Sequence, residues 1–488
     1  AATLHAFGFG DLGERSFGPQ GLRVQAQAAS LARLTGVAGL GAGRIDGTLK
    51  GAFKSASDSW TFASRAEVQD VSASGYRLAR ISGPIEVSHS PKGYALQARL
   101  AGAGGQGAGL AAALLGGAPM AALDAERSAS GQLVVRRLDV KGSGLSVELE
   151  GGRSLLGAST VHGEARITNL AAARPDARGA ATASFRASQS REGAAWNVAL
   201  DARGDRLATG LAELDRLLGP QPRLQVQGDW LGGRLGVRKA TLDGKALNAN
   251  ASGVMARDRS LSFQVGWSAA GPVRAGPVEI TGKAKGGGRI GGAVTAPRLD
   301  LTADFEKIDA PRLPLSDAHL VLTFERRRDG SSGSLALTAG SPYGPARARS
   351  DFRFPEGGVD LTGLDVDAGG VQAQGSLSLR RSSPSAADLR VEIAQGALLD
   401  AGQAQGVVRI VDGPGAAQAH VKLEARNARP AGATVTFASA ELTADGPLSR
   451  LPYTASAQGG SPQGDWRFAG NGVRASEEPG YLLSFDGS

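Results

Sequence analysis

LVVRRLDVKGSGLSVELEG, residues Leu133 to Gly151, alternates apolar and polar side chains over short runs broken by glycine. A period of two marks a strand with one apolar and one wet face, because successive side chains leave a strand on opposite sides. The parity of the apolar residues changes twice. Leu133 and Val135 are odd-numbered, Leu138 and Val140 even, and Leu145 and Val147 odd again. A regular strand would put Leu138 on the wrong face. A bulge near Arg136-Arg137 and a turn at Gly142 to Gly144 are therefore predicted to restore the register. With both in place, all six side chains share one face.

The same unit recurs. A shift of 102 residues sets Leu133, Val135, Val140, Gly142, Leu145 and Gly151 on Leu235, Val237, Leu242, Gly244, Leu247 and Gly253. The same shift brings Leu115-Gly116-Gly117 close to Leu217-Leu218-Gly219. A shift of 226 gives a third copy, with Val359, Leu361, Leu364, Val366, Val371 and Ala373 matching Leu133, Val135, Leu138, Val140, Leu145 and Val147. Arg44-Ile45-x-Gly47-x-Leu49 and Arg289-Ile290-x-Gly292-x-Val294 form a further pair. The repeats divide the chain into segments 1–107, 108–204, 205–288 and 289–488, which read as one continuous sheet.

Outside these units the alternation continues, as in Leu224-Gln225-Val226, Leu299-Asp300-Leu301 and Leu335-Ala336-Leu337. Strand-like runs recur about every 12 residues with no long helical segments to carry parallel crossovers, so an antiparallel meander is predicted. Two segments depart from it. From Asp205 to Leu218, Leu207, Leu211, Leu214, Leu217 and Leu218 fall on one helical face, with Asp205 placed to cap the start and Gly219-Pro220 to end it. A weaker counterpart runs from Gly109 to Leu115, with a resumption over Ala118 to Leu123. Packing on the sheet is the ordinary role for both; gating or a partner contact is the alternative.

Composition narrows the function. The 488 residues include 72 Gly and only 24 aromatics, which fits poorly with helical or α/β domains. With no Cys, disulfides, thiolate metal ligands and thiol catalysis are excluded. The net charge is +8, but 44 of the 54 basic residues are Arg and they are scattered among 46 acids. The densest run, Arg326-Arg327-Arg328, sits between Glu325 and Asp329 without aromatics to stack bases, so a nucleic-acid partner is not expected. No apolar stretch approaches the roughly 18 residues of a membrane-spanning helix; Leu110 to Leu115 is stopped by Gly116-Gly117. A start at Ala1 and a stop at Ser488, just after the strand-like Tyr481 to Phe485, read as a piece of a longer polypeptide whose other parts would hold any signal or anchor.

The fold class predicted is all-β: an elongated, curled antiparallel sheet of repeated amphipathic strands, with one or two short amphipathic helices. About 40 strands at ~4.7 Å spacing would extend on the order of 190 Å, far beyond the size at which open sheets stay flat. Curling toward the apolar face makes a trough that two helices cannot cover, and apolar surface beyond a few hundred Å² calls for a ligand, membrane or partner. Acyl chains suit it, since each buried CH₂ contributes roughly 0.8 kcal/mol without directional bonds. The predicted lining is Leu133, Val135, Leu138, Val140, Leu145 and Val147, with Leu235, Val237, Leu242 and Leu247, and with Val359, Leu361, Leu364, Val366 and Val371. A closed β core burying these residues against one another is the competing reading.

Repeated amphipathic strands with Gly and Asp-Gly turns, a helix followed by LLGG or LLGP at Leu115 and Leu217, and GGRLGVRKATLDGKALNANASG at Gly232 to Gly253 together resemble the TamB family. That family is the inner-membrane-anchored component of the translocation and assembly module; the wider AsmA-like group is similar. The resemblance implies a β-taco groove in the periplasm of a Gram-negative bacterium, bridging inner and outer membranes. It further implies phospholipid carried outward, with phospholipid acyl chains as the groove's occupants, and a tie to outer-membrane protein assembly. The family's anchor helix, and the C-terminal domain that meets an outer-membrane assembly partner of the BamA-like type, are expected outside these residues. A structural or adhesive surface β-solenoid is the alternative, against which stand only 6 Asn and no calcium-binding nonapeptide. A polysaccharide-cleaving β-helix would need clustered carboxylates and sugar-stacking aromatics, and both are sparse.

Other motifs carry less. Gly102-x-Gly104-x-x-Gly107 with Asp124 downstream has dinucleotide-fingerprint spacing, but the following helix breaks within two turns and no βαβ unit follows, so a glycine turn is expected and no cofactor. Asp365 and Asp367 share one side of a strand, where the repeat copies hold Asp139 and Lys141 or Thr241 and Asp243; mixed charge points to the wet face. His5, His89, His162, His319 and His420 have no metal-ligand spacing and read as surface or edge residues. No G-x-S-x-G elbow or Walker loop is present, so no catalytic residues and no metal site are predicted.

Overall fold

The alternation becomes strands throughout. The structure, a computed structural model, describes residues 2–11, 13, 15–53, 59–73, 75–172, 174–275, 278–327, 330–355, 358–380, 386–411, 417–477 and 480–487. Thirty-two strands and three short α-helices occur among them. Several strands, such as Ser59–Ala73 and Tyr76–Ser90, are 15 residues long, so the strands are fewer than a 12-residue spacing predicts.

The chain divides into two units, Ala1–Arg257 and Asp258–Ser488. In the first, the strands from Ala2–Asp11 to Leu247–Met255 form an antiparallel ladder in chain order; the two-residue strand Gln106–Gly107 is set aside, folding back on Tyr76–Ser90. The second repeats the plan from Leu261–Ala270 to Gly480–Gly487, with the short Val273–Ala275 turned back on Val278–Ala293. The sheet is open and not closed into a barrel.

Exposure follows the side-chain period. Along Ser159–Ile167 and most of Leu247–Met255, apolar-face residues are half-buried while polar-face residues are exposed. The apolar face is therefore the more sheltered of the two. The accessible surface is 29269 Å². A compact 49.5 kDa protein exposes about 17,000 Å², and two separate compact halves about 20,000 Å². Among the described residues no large side chain falls below 2% exposure. Areas of this size exceed what a sealed core would leave exposed; among the described residues the apolar face packs laterally along each unit's open sheet.

The parity changes have the cause that the sequence requires. Between Val135 and Leu138 the pairing slips by one residue against both neighbouring strands, placing a bulge at Arg136-Arg137. The repeat copies slip at the same place, between Val237 and Ala240 and between Leu361 and Leu364. In the third copy Gly363 takes φ 59, a left-handed conformation that glycine adopts without strain.

The helices are α1 (Leu31–Thr35), α2 (Leu110–Leu115) and α3 (Ala212–Leu218). All three occupy connections at one margin of the first unit's sheet, the margin toward which Ser16–Ala28, Gly93–Ala103 and Trp196–Ala208 run. Gly116 and Gly219 end α2 and α3 with φ 69 in both cases, their N–H groups donating to the carbonyls of Ala112 and Asp215. In each repeat a later hairpin loop closes on the helix. Gly144 donates to the Leu114 carbonyl at 2.9 Å, and Lys245 to that of Leu218 at 2.9 Å. Gly142 and Gly244 recur for a steric reason, since a Cβ there would lie 2.6 Å from the Leu114 oxygen or 2.9 Å from Leu218 Cα.

Two helical expectations are corrected. Asp205 caps nothing: it pairs with Ala180 inside the strand Trp196–Ala208, and α3 starts only at Ala212. Its first turn is closed from within, Asp215 accepting from the Thr209 hydroxyl at 2.7 Å and the Gly210 N–H at 3.2 Å. Ala118 to Leu123 does not resume α2 but enters the strand Met120–Ser128, paired with Gly93–Ala103. Leu114 is 3% exposed, the most buried side chain of the helices. Leu114→Ala is expected to cost about 2–4 kcal/mol by leaving a cavity. Hydrogen exchange of residues 110–145 should accelerate accordingly.

Candidate functional site

Directly opposed residues in antiparallel strands point to the same side, so the registers trace the apolar face strand by strand. In the first unit one row runs Leu22, Leu49, Phe62, Val87, Leu96, Ala125, Val135, Gly151, Val161, Ala187, Val198, Gly228, Val237, Gly253. In the second unit a comparable row runs Trp267, Gly286, Ala303, Leu320, Leu337, Ala348, Val366, Ala373, Val391, Gly406, Leu423, Leu442, Ala455. Neither row holds a charged residue.

The structure brings the predicted lining residues onto this face. Leu138 lies opposite Leu149, Val140 opposite Val147, and Leu145 opposite Ile167. Leu242 sits between Leu224 and Ala249, and Leu247 shares the Ala249 side of its own strand. Leu361 faces Phe352 and Leu377, Leu364 faces Gly375, Val359 faces Leu379, and Val371 faces Ala368 and Ile393. Leu133 and Leu235 fall at the margin opposite the helices, where Leu133 is 40% exposed between Arg127 and Arg153. On the second unit's apolar face, Val391, Ala404, Leu423, Leu442, Ala455 and Phe468 line a concavity of about 350 Å³.

The polar face is dished, as twisted sheets are, and many of its charges pair with one another. A concavity of about 690 Å³ there is lined by Arg137, Glu148, Glu150, His162, Glu164 and Asp201 among others. Arg137 meets Asp139 at 2.7 Å, and His162 meets Glu150 at 2.6 Å. Asp365 and Asp367 are bound by Arg349 at 2.9 Å and Arg347 at 3.0 Å. His319 pairs with Asp304 at 2.6 Å and His420 with Asp445 at 2.8 Å. Cross-strand pairing of this kind fixes register on a solvated face and leaves little charge over for a ligand. Gly102 to Gly107 forms a strand end and turn, with Gly104 at φ 67. Arg328 and Asp329 lie outside the described residues.

Asp201 is the most perturbed of these carboxylates. Hydrogen bonds from Arg223 and Gln225 to its ionised form hold its pKa at about 2. This is below the ~3.9 of an unfolded chain, so the pairing contributes stability above about pH 4 and loses it as pH falls through about 2. Asp201→Asn should therefore flatten the fall in stability over that window, as followed by circular dichroism during acid titration.

One feature escaped the sequence. Trp60, His89, Tyr94, Arg127, Leu133, Arg153, Ser159, Gln189, Trp196, Trp230 and Leu235 form a single row on the apolar face at the margin away from the helices. Trp60 stacks on His89 with centroids 5.7 Å apart, and His89 packs at a tilt against Tyr94 at 4.5 Å, so His89 belongs to an aromatic cluster rather than a simple surface position. Hairpin register alone aligns these residues.

Compared with known proteins, the chain matches no family model and no curated protein. The site therefore rests on geometry: uncharged central rows on an apolar face, continuous from strand to strand within each unit.

Proposed function

We propose that the apolar face is a lipid-bearing surface, and that the protein is a non-enzymatic periplasmic bridge-like groove carrying phospholipid between inner and outer membranes, tied to outer-membrane protein assembly. The carrying observation is the pair of uncharged rows, half-buried at most positions in an open sheet. Surface of this kind and extent is stabilised by an apolar occupant. Acyl chains match it because they need no directional partner, and a two-chain lipid placing some ten methylenes on the rows gains roughly 8 kcal/mol before its ordering cost. The likeness of the repeats to the TamB family supports the periplasmic setting and the outer-membrane link. An antiparallel meander lacks the stacked parallel coils of an adhesive β-helix, which weighs against the solenoid alternative. The test is mass spectrometry of lipid extracted from the full chain purified without added lipid. Phospholipid at one or more molecules per chain is expected; protein free of lipid would overturn the reading.

A further inference from the structure

We propose that bound lipid lies across the first unit's sheet in one orientation, its phosphate-bearing headgroup along the Trp60–Trp230 row and its acyl chains directed toward the helical margin. This rests on the lipid reading above and adds to it a side for the headgroup. The apolar face is graded from one margin to the other. Near the helices its outermost positions include Val68, Ile81, Leu145, Ile167 and Ala181, with no group that can bond to a headgroup. Three central rows are apolar except for Ser64, which is buried and donates to the Ile85 carbonyl. The far row alone carries Tyr94, Arg127, Arg153, Trp196 and Trp230, with Ser159 and Gln189 between them.

That composition is the one amphiphiles meet at a bilayer interface. Trp and Tyr present an apolar ring and a polar tip, and Arg lays its methylenes on apolar surface while its guanidinium stays wet and takes phosphate in a forked pair of hydrogen bonds. Tyr94 is 48% and Trp230 47% exposed, so their polar edges are available. Arg153 is tied to Glu192, whereas Arg127 has no ion-pair partner among the described residues. The dimensions agree. Ser159 and Ile167 end one strand at opposite margins, about 26 Å apart at ~3.3 Å per residue. One leaflet's hydrocarbon depth is about 15 Å, half that of a bilayer core, so tails starting at the aromatic row remain wholly on apolar rows.

The chain has no cysteine, so Ser159→Cys and Ile167→Cys each give a single attachment point for a fluorophore. Each labelled protein is loaded with phosphatidylcholine carrying a nitroxide on the headgroup or near the acyl terminus. Headgroup nitroxide should quench the probe at 159 several-fold more than that at 167, and the acyl nitroxide should reverse the order. Arg127→Gln with Arg153→Gln should erase the headgroup preference while lipid remains bound. Equal or inverted quenching by the headgroup label would overturn the orientation and leave the lipid reading standing. Absence of quenching by either label at both positions would overturn both.

Discussion

Val366→Arg is expected to remove most lipid from the protein while its strands stay paired. Val366 occupies the second unit's central row between Ala348 and Ala373. A guanidinium there has water on one side as long as the groove is empty, so the folded sheet bears little cost. Once acyl chains cover the row the same charge loses its hydration without a partner, which costs several kcal/mol. Since 1.4 kcal/mol is tenfold in affinity, retained lipid should fall by at least about tenfold. Gln374→Arg is the control: one residue from Ala373, it faces Asp365 on the polar side, and lipid content should not change. Extraction and mass spectrometry of the three proteins measures the difference. Equal lipid in Val366→Arg and the parent would mean that the row is not where lipid sits.

Deleting Arg238 and Lys239 together is expected to be far more damaging than truncating Arg238. The two residues form the bulge between Val237 and Ala240; without both, Val237 adjoins Ala240 and the two leave the strand on opposite faces, so that Leu235 and Val237 turn out to solvent and Arg234 and Gly236 come in. Two apolar side chains at roughly 1.5–3 kcal/mol each, discounted because both are only partly buried, give a loss of about 3 kcal/mol. Arg238→Ala removes an exposed bond to Asn197 at 3.1 Å and a distant pair with Asp229, worth at most about 1 kcal/mol. Local opening is the appropriate readout, because such a sheet need not unfold all at once. Amide exchange across residues 223–255 should quicken roughly a hundredfold in the deletion and only a few-fold in the substitution.

Much of this was legible in the residues. Alternation defines the strands, and the switch from Val135 to Leu138 requires the bulge that the registers contain. The repeat shift also aligned equivalent helix ends and equivalent glycine turns. What could not be read has a physical reason in each case. Leu207 has helical spacing relative to Leu211, but Asp205 and its neighbours gain a full cross-strand partner by extending the strand, and that tertiary pairing outweighs local propensity. Helix α1 is five residues long, too short to show a period. The aromatic row is invisible because Trp60 and Trp230 become neighbours of one row only through a chain of intervening hairpins, whose registers no single segment encodes.

Within each unit every principal strand bonds only to those flanking it, and each pair of turns returns the chain to the margin from which it left. A hairpin can therefore be duplicated or excised with its two strands without reversing parity or disturbing any distant contact. Each such event changes reach by about 10 Å, twice the spacing between adjacent strands. The architecture is a ruler with two-strand graduations: the length of a unit is set by how many hairpins are inherited, while the cross-section of its apolar face stays constant.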